Sequence, residues 1–207
     1  MTDSDIRIAQ DLLFFAYRDF THAADVILEE LGLGRAHHRA LHFIGRHPGI
    51  TVSELLSILR ITKQSLARVL NELVERAYVA QAPGLDDRRQ RLLSLTQNGV
   101  GLEQRLFERQ RARLAEAFHT ADPSPPGHPP PGPSALDAFR TIMLGVMDKS
   151  ARAWVEQGAR RPMTHAARAV APAGTTSQGK GNLETASPGT ASPGTERGTR
   201  QETGTTP

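Results

Sequence analysis

The sequence contains no cysteine, which removes disulfides, thiolate metal centres and cysteine nucleophiles at once. Aromatic residues are scarce, 5% of 207, and none occurs from residue 160 onward. No apolar run approaches the ~20 residues needed to span a bilayer. The N-terminus is polar and acidic rather than basic and then apolar, so no signal peptide is expected and the cytoplasm is the default compartment. No Ser/His/Asp order, carboxylate pair, Gly-rich phosphate loop or nucleotide fingerprint stands out. Neither an enzyme nor a cofactor is expected. Charge of one sign does not dominate either: the net value is +3, permissive for nucleic acid without demanding it.

What is present concentrates between Ile50 and Thr96. Arg60 to Leu95 holds seven Lys/Arg against four acids, so this stretch alone matches the charge of the whole chain. Thr51 with Glu54 three residues on is a capping box, and Val52, Leu55, Leu56 and Leu59 then share one helical face. Ile61 closes a turn and Thr62 is the next N-cap. Leu66, Val69, Leu70, Leu73 and Val74 form an apolar stripe on a second helix, whose other side carries Lys63, Gln64, Ser65, Arg68, Asn71 and Glu72. Such asymmetry suits a helix that anchors in a core and offers polar and cationic groups to base edges and phosphates. An ordinary amphipathic surface helix would look the same.

The following segment separates the two readings. Tyr78–Ala82 and Arg91–Leu95 read as short strands, with Pro83-Gly84 and Asp86-Asp87 supplying turn chemistry between them. Arg88 and Arg89 fall in the turn, and Arg91 starts the return strand. An arginine-tipped hairpin suits a narrow, electronegative minor groove, although a charged loop tip is also commonly just solvated.

In TVSELLSIL, ITKQSLARVLNELVERAYV and DDRRQRLLSLT the chain resembles the winged helix-turn-helix of the MarR family of bacterial transcription regulators. Asp87 and Arg89 match the family's Asp-x-Arg wing signature, and Leu95-Thr96 its entry into the next helix. GRAHHRALHFIGRHPG and ITKQSLARVL are similar in particular to the PetP-type branch. The likeness covers roughly residues 5 to 158. It implies a mainly α fold: a winged helix-turn-helix with a two-stranded wing, flanked by long N- and C-terminal dimerisation helices. It also implies a homodimer binding double-stranded DNA at a palindromic operator. Thr62, Lys63, Gln64, Ser65 and Arg68 would serve the major groove, and Arg88 and Arg89 the minor groove or its phosphates. Asp87 would orient the wing by pairing with an arginine, Arg89 first among them.

Around this centre, residues 1–34 are expected to form an N-terminal dimerisation helix whose apolar stripe runs Ile6, Ala9, Leu12, Leu13, Phe20, Ala24, Ile27, Leu31. A second helix is expected from Arg35 to His47, within a DNA-binding core spanning 35–96. Residues 97–158 are expected to hold two further dimerisation helices, one from the Thr96 cap to Phe118 and one from Ser134 to Gly158. Between them the proline-rich run 121–133 cannot be helical. Residues 159–207, rich in Gly, Pro, Ser and Thr, cannot bury enough apolar surface to offset ordering and are expected to be disordered. Arg160, Arg161 and Arg168 would add only weak phosphate attraction there.

His38 and His42 stand four apart, a spacing able to hold a metal. No cysteine and no HExxH pattern supports one, and packing at a helix junction is the commoner reading, so no metal is assigned. MarR-type proteins commonly hold a small aromatic or anionic effector. By position Arg18, His22, His38 and His42 would line its site, with Phe15 and Phe43 as walls, although capping and packing explain the same residues. Two rivals stay open: a winged helix that binds protein instead of DNA, and a metal-responsive sensor built on His38 and His42.

Overall fold

The computed structural model describes residues 1–84, 87–123 and 132–160, with side chains through 158. Leu85, Asp86, most of the proline-rich run and nearly all of the 159–207 tail lie outside the described residues. The elements follow in the order α1 (Asp3–Glu30), α2 (Arg35–Arg46), β1 (Ile50–Thr51), α3 (Val52–Leu59), α4 (Lys63–Glu75), β2 (Val79–Pro83), β3 (Arg91–Leu95), α5 (Gln97–Ala121), α6 (Ala135–Val146) and α7 (Lys149–Arg160). The fold is mainly α with a small antiparallel sheet, as expected.

Local chemistry explains most boundaries. The Thr2 hydroxyl accepts from the Asp5 N–H and the Asp5 carboxylate from the Thr2 N–H, starting α1 at Asp3, ahead of the first apolar position of the stripe, Ile6. At its other end Gly32 takes φ 63°, the Leu33 N–H donates to the Leu28 carbonyl (2.8 Å) and the Gly32 N–H to Glu29 (3.0 Å). That pattern satisfies the last carbonyls and turns the chain sharply. The Thr51–Glu54 capping box forms in both directions, at 3.1 and 2.8 Å. Thr62 caps α4 by accepting from the Ser65 N–H at 3.1 Å.

The sheet has the order β1-β3-β2, so the expected hairpin gains a third strand. Ile50 pairs with Leu93 and Thr51 with Leu92, while Val79 pairs with Leu95 and Pro83 with Arg91. Two residues are too short to carry an alternation pattern, which is why β1 leaves no mark in the sequence. Leu93 and Leu95 of β3 point into the core, whereas β2 is buried only at Val79 and exposed from Gln81 onward. The hairpin therefore roots in the core and leaves it at the tip.

At that root several elements meet. The α4 helix ends with Ala77 at φ 56°, a left-handed conformation held by the Tyr78 N–H on the Leu73 carbonyl (2.8 Å) and the Ala77 N–H on Val74 (2.9 Å). Thr96 donates its hydroxyl to the Ala77 carbonyl (2.5 Å) and its N–H to Tyr78 (3.0 Å). The same hydroxyl caps α5 by accepting from the Gly99 N–H (3.1 Å). A Cβ on Gly99 would lie 2.0 Å from the Tyr78 carbonyl oxygen, so only glycine fits there.

One aliphatic cluster holds this together. Leu28, Leu41, Ile44, Leu55, Leu66, Leu73, Leu93 and Leu106 are fully enclosed, drawing on α1 through α5 and β3. Burying each such side chain contributes ~1.5–3 kcal/mol. Only the C-terminal half of α1 joins in, with Ala24, Ile27 and Leu28 buried. In its first half Leu12 is 64% and Phe14 66% exposed.

The expected helix from Ser134 to Gly158 is two helices. Met147 adopts an extended conformation (ψ 149°) and closes α6. Asp148 then accepts from the Ala151 N–H at 2.9 Å and starts α7. An apolar periodicity continued through the break, which is how the sequence concealed it. The two halves also face differently. Ile142 and Val146 of α6 are 62% and 67% exposed, whereas Trp154 of α7 packs against the core and meets the His47 ring edge-on at 5.1 Å.

Candidate nucleic-acid interface

In α4 the apolar positions are satisfied inward, with Leu66, Val69, Leu70 and Leu73 buried. Helical geometry then forces Lys63, Gln64, Ser65 and Arg68 outward, and all four are exposed, as is the cap Thr62. Among the described residues, no hydrogen bond or ion pair engages the side chains of Lys63, Gln64 or Arg68. The first two turns thus present uncommitted donors. Val74, which the stripe assigns inward, is 38% exposed at the helix end.

Glu72 departs from the expectation that it faces the groove. Its carboxylate lies 2.9 Å from His37 Nε2 and accepts from the Arg76 guanidinium at 2.6 Å. Arg76 also donates to the Leu31 carbonyl at 2.5 Å. His37 Nδ1 accepts from the Gly34 N–H (3.0 Å) and so caps α2. That leaves the proton of the neutral ring on Nε2, directed at Glu72. The rear of α4 is therefore tied to the α1–α2 linker, a network that periodicity alone does not reveal.

At the hairpin tip Asp87, Arg88, Arg89, Gln90 and Arg91 are exposed. The Gly84 N–H donates to the Gln90 carbonyl and the Gln90 N–H to that of Asp87, each at 3.0 Å. Among the described residues Asp87 does not make the ion pair with an arginine side chain that was expected of it. Its carboxylate accepts from the backbone N–H of Arg89 at 2.9 Å, a two-residue Asx closure. With no partner among the described residues, the Arg89 side chain lines, with Gln90 and Arg91, a cleft of about 550 Å³ against Thr51–Glu54 at the start of α3.

The residues expected around an effector are only partly brought together. Asp25 of α1 receives a two-pronged interaction from Arg35, with its closest contact at 2.7 Å. His22 Nδ1 lies 3.8 Å from the same carboxylate. His42 Nδ1 lies 3.7 Å from Glu103, which α5 contributes to the core. Half-buried His38 stands between these groups. Its pKa is lowered by burial first and by His42 second, against the pull of Glu103 and Asp25. The Asp25 carboxyl is held below its usual range by the Arg35 hydrogen bond. Arg18 stays apart, paired with Asp19 at 2.8 Å and stacked over Phe15 at 4.9 Å. Asp25, Arg35 and Glu103 are the members sequence reading missed. Among the described residues no group of three or more His, Asp or Glu could hold a metal ion, and no helix is long and apolar enough to cross a membrane.

An exposed polar helix face set beside a projecting, arginine-tipped hairpin defines a winged helix-turn-helix. A family model described as the MarR family matches residues 31–90. The chain is 43% identical over 152 residues to the HTH-type transcriptional regulator PetP of Rhodobacter capsulatus, spanning 73% of this chain and 86% of that protein. Among solved structures it is similar to a MepR mutant from a multidrug-resistant S. aureus clinical isolate, with TM-score 0.54, 16% identity and coverage of 66% and 95% of the two chains. It is also similar to a mutant MarR from E. coli complexed with operator DNA, with TM-score 0.50, 19% identity and coverage of 70% and 96%. Those two likenesses speak for the fold. The chain belongs to the MarR family, and is a winged-helix transcription regulator rather than an enzyme.

Proposed function

We propose that the protein acts in the cytoplasm as a homodimer that binds double-stranded DNA at a palindromic operator and answers to a small-molecule effector. The observation that carries this reading is the exposed outward face of α4, with Lys63, Gln64 and Arg68 uncommitted among the described residues and Ser65 alongside them, beside the exposed arginines of the hairpin. Thr62 starts the helix at the groove floor, and those four side chains reach base edges and flanking phosphates. Arg88 and Arg89 enter the minor groove or its backbone, with Asp87 holding the tip in shape.

The dimer layer is assigned to residues 1–34 and to α5 and α6 within 97–158. Its support is the apolar surface left open by one copy: Leu12, Phe14 and Phe15 of α1 and Ile142 and Val146 of α6, each more than half exposed. Large apolar side chains left open on neighbouring turns of a helix are costly in water and mark an interface. A two-fold axis through it sets two α4 helices ~34 Å apart, one turn of duplex. The effector is assigned to the junction where His22, His38 and His42 surround Asp25 and Glu103, with Arg18 at its outer edge. That junction joins the dimer layer to the DNA-binding core.

The test is retention of genomic DNA fragments by the full chain at moderate salt, followed by sequencing of what is retained. A recurrent palindromic site is the expected result. Failure to retain any duplex would overturn the reading and favour a protein partner for the same basic face.

A further inference from the structure

Next to the uncommitted cations of α4 stands one that the protein itself occupies. Arg60 ends α3 in the left-handed region, φ 51°, two residues ahead of the Thr62 cap. Its guanidinium donates to the Asp148 carboxylate and, at 3.2 Å, to the Ser150 hydroxyl. Both belong to the start of α7, far along the chain. The acceptor is preformed: Asp148 also takes the Ala151 N–H at 2.9 Å and the Ser150 hydroxyl at 2.7 Å. Those two bonds, aided by Arg60, bring its pKa down to about 2, so it stays ionised. Farther along, α7 rests on Trp154 against His47 and on Gly158 closely approached by the Arg46 guanidinium. The helix thus lies across the DNA-binding core like a strap, with its anionic end on the turn between α3 and α4.

The side chains of Arg60 and Asp148 are 66% and 45% exposed. An ion pair that open to water is weak and exchanges its partner readily. A duplex offers a dense row of phosphates to any cation beside the recognition helix, and each one neutralised releases condensed counterions. We propose that Arg60 is a backbone-phosphate contact for which Asp148 competes, so that α7 holds down the affinity of the protein for duplex DNA. This rests on α4 being the DNA-facing helix.

The test uses the full chain, its Asp148→Asn and Arg60→Gln variants and the double variant, each titrated with a long mixed-sequence duplex over a range of salt. Asparagine caps a helix as well as aspartate does, so Asp148→Asn removes the charge and keeps α7, as circular dichroism of the variant checks. Asp148→Asn is expected to tighten binding roughly three- to tenfold, two exposed pairs being released per dimer. Its salt slope should steepen by about 0.9 for each phosphate gained. In the Arg60→Gln background the same change should do nothing. Unchanged affinity and slope in Asp148→Asn would overturn the proposal while leaving the DNA-binding reading intact. So would equal tightening with and without Arg60, which would mark a general charge effect, or weaker binding, which would make α7 a brace. A parent protein that retains no duplex would bring down both.

Discussion

The segment from α2 to β3 and the outer helices are made of similar residues and behave oppositely. In the core every large apolar side chain of α4 except Val74 finds a neighbour in the same chain. Leu73 is fully enclosed. In the first half of α1 and in α6, leucines, isoleucines and phenylalanines at helical spacing stand in the open. The sequence pattern is the same in both places, an apolar stripe at 3–4 spacing. The difference lies in what the stripe meets: among the described residues the outer stripes find few partners, Phe139 on the Phe118 ring being one, and the proposed dimer would cover the rest.

The sharpest way to break that contrast is to truncate one side chain in each region. Leu73→Ala should cost ~2–5 kcal/mol of stability, by loss of contacts plus a cavity, read as a lower denaturation midpoint. The outer layer responds in another observable. Ile142→Asp would bury an unpaired carboxylate in the proposed interface, at a cost of about 3 kcal/mol or a hundredfold weaker self-association. Sedimentation should show monomers whose core retains its helical signal. Dimers of unchanged affinity would remove α6 from the interface.

Within that segment the two halves of the proposed DNA surface should also part company. Gln64→Ala is expected to narrow the gap between best and worst sites by ~1–3 kcal/mol for each lost base contact. Competition between preferred and scrambled duplexes measures it, and an unaltered preference would take Gln64 out of the reading set. Arg89→Ala should weaken binding to every duplex alike and flatten the salt slope by about 0.9 per contact. Parallel slopes for variant and parent would deny it that role.

The smallest effect concerns the junction of the two regions. Burial holds the folded-state pKa of His38 below its ordinary value of 6.5, so the folded protein favours the neutral ring. Its contribution to stability is therefore complete above pH 6.5 and is lost as pH falls through that value, the unfolded chain taking the proton more readily. The thermal midpoint should hold above pH 6.5 and decline from there toward about pH 5, and His38→Gln should flatten the decline. An identical pH profile in the variant would deny His38 that role.

How much of this was legible follows the range of the forces involved. Thr51 with Glu54, Thr62 and Thr96 declare their helix starts because a cap is a contact within three residues, and β3 from Arg91 to Leu95 is bounded by turn chemistry. Asp148 is the same kind of signal, but the periodicity running from Leu136 to Trp154 masked it. The pairing of Glu72 with His37, of Asp25 with Arg35 and of Glu103 with His42 joins residues many positions apart. Nothing in the spacing of either partner names the other. Asp87 shows a subtler failure: an arginine side chain was the expected partner, whereas its carboxylate takes the backbone N–H of Arg89, two residues away.

The knot at Thr96 has a mechanical consequence. One threonine closes the end of the α4 turn at Ala77 and Tyr78, registers the return strand of the hairpin and opens α5, with Gly99 pressed against the same carbonyl. Hairpin and long helix are consequently one lever with its fulcrum at the root, and neither can tilt by itself. Whatever repositions α5 from the far side must swing the arginine tip, and whatever grips the tip must stiffen α5 in return.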